Sequence, residues 1–152
     1  MKSIISKTMV LVAICAALFS FAPKPGGEGF EIYLDNKLVL QQFGNEMNAV
    51  KNLQVLQSAV NGQLTIKYHH CGRVGKNRIV TIKDEQNKVL KEWRFTDAAV
   101  PVAAMSCNVK DIMNLKKGNS GNTFKLYYSS SELPKGRMLA SVVLTKDNTT
   151  NP

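Results

Sequence analysis

Both histidines of the chain stand beside a cysteine in Tyr68-His69-His70-Cys71-Gly72-Arg73-Val74-Gly75-Lys76-Asn77-Arg78. Imidazole and thiolate suit copper or zinc. His69, His70 and Cys71, with Met105 or Cys107 from further along, therefore form a candidate metal set. Neighbouring side chains of an extended strand point to opposite faces, so His69 and His70 grip one ion only where the backbone bends. A closed zinc site also asks for a second pair of ligands, which this sequence does not offer. Alternatively, Arg73, Lys76 or a histidine could favour the thiolate of Cys71 and make it a nucleophile, although no Cys-x-x-Cys accompanies it. The third role is structural. A Cys71–Cys107 bridge would close a loop of about 36 residues and stabilise the fold by about 4 kcal/mol on chain entropy.

The loop is also basic. Between Glu46 and Asp84 there is no acid, while Lys51, Lys67, Arg73, Lys76, Arg78 and Lys83 fall in that span. Lys110, Lys116, Lys117 and Lys125 make a second basic run, relieved by Asp111. The whole chain of 152 residues carries a formal charge of +9. Such a face attracts polyanions, and the expected contact set is Lys67, His69, His70, Arg73, Lys76 and Arg78. Glu28 with Glu31, and Asp84 with Glu85, are the nearest approach to paired carboxylates, and they read as solvated acids of a leader and a turn. The sequence holds no Gly-x-Ser-x-Gly elbow, no Walker loop and no His-Glu-x-x-His. The expectation is a binding or scaffold protein without catalysis or cofactor.

The first 22 residues read as an export signal. Lys2 and Lys7 precede the apolar run Met9 to Phe21, and Ala17 or Ala22 offers a small residue for cleavage. That run is 13 residues long, short of the ~20 needed to span a bilayer, and no later segment is long and apolar enough. Removing 1–22 leaves a net charge of +7 and the two cysteines Cys71 and Cys107. Export to the periplasm or beyond favours the disulfide among the three cysteine roles. It also points the basic surface toward anionic envelope lipid or polysaccharide, or another envelope protein. Nucleic acid lies on the wrong side of the membrane, and no aromatic stripe accompanies the charges.

These side chains must be positioned by strands. After a leader at 23–29, containing Pro23, Pro25, Gly26 and Gly27, apolar residues alternate between turn residues. Phe30, Ile32 and Leu34 share a face; Asp35-Asn36-Lys37 turns the chain; Leu38 and Leu40 return. Leu53 and Val55 mark another strand. Asn61-Gly62 is a strong hairpin signal, launching Leu64, Ile66 and Tyr68. Strands follow at 79–83, 89–95 and 105–109, and then at 124–128 and 138–145, with a loop at 129–136 between the last two. Val109, Ile112, Met113 and Lys116 recur at helical spacing, with Asn108 as N-cap and Gly118 past the end. Trp93 and Tyr128 are in phase with core positions, and Tyr127 is out of phase. The expectation is an all-β, antiparallel β-sandwich, Ig-like or related, of eight or nine strands with one short helix near 109–117. It spans 30–146, with a tail at 147–152.

The run from Tyr68 to Gly72, then Lys76-Asn77-Arg78-Ile79-Val80-Thr81-Ile82-Lys83-Asp84, Val89-Leu90-Lys91-Glu92-Trp93-Arg94-Phe95 and Glu132-Leu133-Pro134-Lys135-Gly136-Arg137, resembles a group of small exported bacterial proteins of unassigned function. The likeness covers most of 30–145. It implies bacterial export and a single domain, and it carries over no catalytic residue.

Overall fold

The computed structural model describes residues 27–116 and 121–147. The signal segment, most of the leader, Gly118 and all of the tail but Asp147 lie outside them. The described chain is mostly β: β1 (Glu28–Leu34), β2 (Lys37–Phe43), β3 (Lys51–Leu56), β4 (Gln63–His70), β5 (Arg78–Lys83), β6 (Val89–Phe95), β7 (Ala104–Asn108), one helix α1 (Val109–Leu115), β8 (Thr123–Ser130) and β9 (Leu133–Thr145). The nine strands form two sheets, in the orders β2-β1-β4-β7 and β3-β9-β8-β5-β6.

Period-two alternation does the building. On β4, Leu64, Ile66, Tyr68 and His70 face inward, and on β8 so do Phe124, Leu126, Tyr128 and Ser130. Phe30 and Ile32, Leu53 and Val55, Val80 and Ile82, Met105 and Cys107, and Leu139, Ala140, Val142 and Leu144 complete one core shared by both sheets. Each fully buried Leu, Ile or Phe contributes about 1.5–3 kcal/mol. The two sheets touch directly where the stacked rings of Tyr68 and Tyr128 lie 4.4 Å apart. Helix α1 adds Val109 and Ile112 to that core, as its spacing predicts. Asn108 does precede its first turn, but the side chain makes no capping hydrogen bond.

Four expectations are corrected. The strands are not all antiparallel: β3 runs parallel to β9, Lys51 opposite Ala140 through Leu56 opposite Thr145. This follows from the chain leaving β2, crossing to the other sheet through a 3-10 helix at Gly44–Asn48, and landing on its edge. The buried Gln42 amide fastens the crossing by donating to Glu46 O at 2.5 Å and Ala49 O at 2.8 Å. Asn61-Gly62 closes no hairpin: it ends a second 3-10 helix at Gln57–Asn61, and β4 pairs with β1 and β7 instead of β3. The expected loop at 129–136 is nearly all strand, since β8 continues to Ser130 and β9 starts at Leu133. Gly136 there has φ +69, with Tyr128 O 3.2 Å from where a Cβ would stand, so a left-handed glycine replaces a loop. Finally, Glu28 and Gly29 belong to β1 rather than to a leader. By contrast, Asp35 (φ 49) and Asn36 (φ 64) make the expected left-handed turn.

Candidate functional site

The basic loop crosses from β4 in one sheet to β5 in the other. Its first turn is sharp: Cys71 (φ 54) and Gly72 (φ 81) are both left-handed, and Arg73 N–H donates back to His70 O at 3.1 Å. Such backbone costs about 1–2 kcal/mol at a non-glycine residue, so the surrounding bonds must hold it. Lys76 N–H donates to Glu132 Oε2 (2.9 Å) and Lys76 O accepts from Ser131 N–H (2.8 Å). Asn77 N–H donates to Asp97 Oδ1 and its side-chain amide to Ser131 Oγ, both at 2.8 Å. Gly75 O accepts from Ala98 N–H at 2.9 Å. A Cβ on Gly75 would sit 3.0 Å from Arg78 Cδ and 3.2 Å from the Tyr128 hydroxyl, which is why a glycine stands there. The loop is thus bound to the 96–103 connection and to the β8–β9 turn.

The six expected contact residues divide among three places. Arg73 and Lys76 are exposed at the loop tip, and neither forms an ion pair among the described residues. Lys67 and His69 lie on the outer face of the first sheet. There Lys67 Nζ sits 4.8 Å over the Tyr33 ring. His69 meets the Phe43 ring edge-on at 5.1 Å, with its Nε2 3.6 Å from Glu31 Oε1. His70 and Arg78 are buried, at 4% and 6% exposure. This corrects their reading as surface contacts. Strand parity turns His70 inward, in phase with Leu64 and Ile66. Arg78 folds its guanidinium onto the connection, with Nε and Nη2 donating to Thr96 O (3.1 and 2.8 Å) and Nη1 to Ala103 O (3.1 Å).

Cysteine pairing and metal binding fare no better. Cys71 and Cys107 are both free, the first exposed and the second buried. Cys107 is opposite Leu64 at the start of β4, whereas Cys71 follows its last residue. Seven residues of strand hold them about 20 Å apart, far beyond the reach of a disulfide. Burial, with the Asp111 charge, pushes the Cys107 thiol up to about 12. His69 and His70 point to opposite faces. Met105 is buried opposite Ile66, about 13 Å down the strand from His70. Among the described residues no three His, Cys, Asp or Glu side chains converge.

What sequence reasoning missed is a polar network inside this end of the fold. His70 Nε2 shares a hydrogen bond with the Tyr128 hydroxyl at 2.9 Å and lies 3.4 Å from Ser130 Oγ. The Tyr68 hydroxyl donates to Glu28 Oε1 at 2.5 Å, and Arg137 Nη2 reaches Glu28 Oε2 at 3.4 Å. Burial keeps His70 below its ordinary value, overriding the pull of Glu132. It raises Tyr68, with help from Glu28, and also raises Tyr128. Burial pushes the Glu132 carboxyl up as well, but hydrogen bonds from the backbone of Lys76, from its own N–H and from Ser130 hold it below the ordinary carboxylate range. The signal was available: Ser130 continues the inward phase of Phe124, Leu126 and Tyr128. With His70, Tyr128 and Ser130 each at most 5% exposed, the cluster joins the two sheets and offers a solute no approach.

No protein-family model matches the chain, and no curated protein matches it either.

Proposed function

We propose that the protein is a non-catalytic binding or scaffold protein of the bacterial cell envelope, built on an Ig-like β-sandwich, that contacts an anionic partner through Arg73 and Lys76. The observation that carries this reading is the loop at 71–77. It is fixed to two other segments by backbone hydrogen bonds while its two cationic side chains are left exposed and unpaired among the described residues. A rigid backbone removes ordering cost from binding, and unpaired exposed cations give salt-sensitive attraction to anionic surfaces. His70 is engaged with Tyr128 and Arg78 with backbone carbonyls.

The test is co-sedimentation with phosphatidylglycerol vesicles and, in a separate arm, retention on an acidic polysaccharide, with phosphatidylcholine vesicles as the neutral control. Each basic residue near an anionic membrane is worth about 1 kcal/mol, so R73E/K76E should lose at least about tenfold in binding. Equal binding by wild type and R73E/K76E in both arms contradicts the proposal.

A further inference from the structure

At the opposite end of the fold, where β7 hands the chain to α1, lies a cavity of about 650 Å³. It is walled by α1, by the 3-10 helix at Gln57–Asn61 and by the end of β9. Its volume falls within the ~300–1,000 Å³ of small-molecule sites. Helix α1 is divided between two duties. Val109 and Ile112 face the core, whereas Lys110, Met113 and Asn114, at i, i+3 and i+4, line the cavity. Val60, Met113 and Leu144 give it an apolar floor, and Lys110, Lys116 and Lys146 bring three positive charges to its wall without a carboxylate among the lining residues. Thr145 is also among the lining residues, and its hydroxyl is buried with no hydrogen-bond partner among the described residues.

Apolar floor and cationic wall together select a ligand with two parts. A small inorganic anion would leave Val60, Met113 and Leu144 facing water, and a neutral hydrocarbon would leave three ammonium groups without a counter-charge. From this we infer that the cavity binds a single-chain amphiphile with an anionic head, of the fatty carboxylate class. The tail lies on Val60, Met113 and Leu144, and the head is held by Lys110, Lys116 and Lys146. Met113 suits such a floor, because an unbranched thioether adapts to chains of different length. Ten to fifteen heavy atoms, at about 30 Å³ each, take up about 300–450 Å³, so a medium-length chain fits with room for water around the head. The site shares no residue with the loop at 71–77 and stands whether or not that loop binds an anion.

The probe is decanoate below its micellar concentration, titrated into the purified protein and followed by calorimetry and by amide NMR shifts. Decyltrimethylammonium tests the sign of the head, and acetate tests the need for a tail. Decanoate should bind with shifts centred on 57–60, 110–116 and 144–146, and acetate and decyltrimethylammonium should bind at least tenfold more weakly. K110Q and K146Q, at exposed positions, should each weaken decanoate several-fold, and M113W, which fills the floor, should weaken it further without moving the R73E/K76E phenotype. Equal affinity for the cationic amphiphile overturns the assignment, as do unchanged affinity in both lysine variants and shifts centred elsewhere. A dilution series of the ligand-free protein closes the alternative: concentration-dependent shifts at these same residues would mean that a second copy of the chain occupies the cavity, and would also overturn it.

Discussion

Replacing Arg78 by methionine separates a structural cation from the contact cations beside it in sequence. The side chain is 6% exposed and makes three donor contacts to two carbonyls, Thr96 O and Ala103 O. Methionine keeps the apolar stem and removes every donor. A hydrogen bond from a charged group contributes about 1.5–3 kcal/mol. The three contacts converge on two acceptors that are only partly buried, so water recovers some of the loss, and about 3 kcal/mol is the net expected. For a domain of this size that lowers the Tm by about 10 °C. Arg78→Lys keeps the charge but cannot bridge both carbonyls, and should lose roughly half as much. Urea unfolding gives the free energies, and amide exchange at 96–103 should rise in the same order. In the same assay Arg73→Glu and Lys76→Glu should each stay within about 0.5 kcal/mol of wild type. An Arg78→Met loss below about 1 kcal/mol would refute the reasoning, because the carbonyls would then not depend on that guanidinium.

The buried histidine makes stability depend on pH. Burial lowers its folded-state value below the ordinary 6.5, so the unfolded chain takes up the proton first. Stability is therefore complete above about pH 6.5 and falls as pH drops toward the folded-state value; in His70→Phe this step should be absent from urea midpoints measured between about pH 8 and pH 5. Glu132 acts in the same sense, but its loss begins only as pH falls to about its ordinary 4.5, below the ordinary 6.5 at which the His70 loss begins. Tyr128→Phe removes the 2.9 Å partner of His70 and should cost about 1 kcal/mol. Iodoacetamide at pH 8 should label Cys71 in the native protein and Cys107 only on unfolding, read by peptide mapping; protection of both until reduction would mean that they are bridged.

Much of the frame was legible because parity is a local property. Phe30/Ile32, Leu64/Ile66/Tyr68, Val80/Ile82 and Phe124/Leu126/Tyr128 all turn inward as their alternation requires, and Val109 and Ile112 mark the helix. Pairing across sequence was not legible. Nothing near Leu53 or Val55 tells that their strand lies parallel to β9, because that follows from where the Gly44–Asn48 crossing delivers the chain. The same gap misled the reading of the site. Residue type and density made His69 to Arg78 look like one surface, but parity buries His70, and the path of the 96–103 connection draws Arg78 inward to meet its carbonyls. The disulfide expectation rested on compartment and count, and the β4–β7 register places the two cysteines at opposite ends of a strand. The cavity beside α1 had a signal in the spacing of Lys110, Met113 and Asn114, although its other walls come from segments about 30–50 residues away along an extended chain.

The central claim is that exposed charge at Arg73 and Lys76, and no buried reactive group, makes contact with the partner. It is tested most directly by the salt dependence of vesicle binding. From about 0.01 M to 0.5 M salt the screening length falls from about 30 Å to under 8 Å. Wild-type binding to phosphatidylglycerol vesicles should fall steeply over that range, and R73E/K76E should bind weakly at every concentration. Wild-type binding that is independent of salt, or matched by R73E/K76E throughout, would contradict the account.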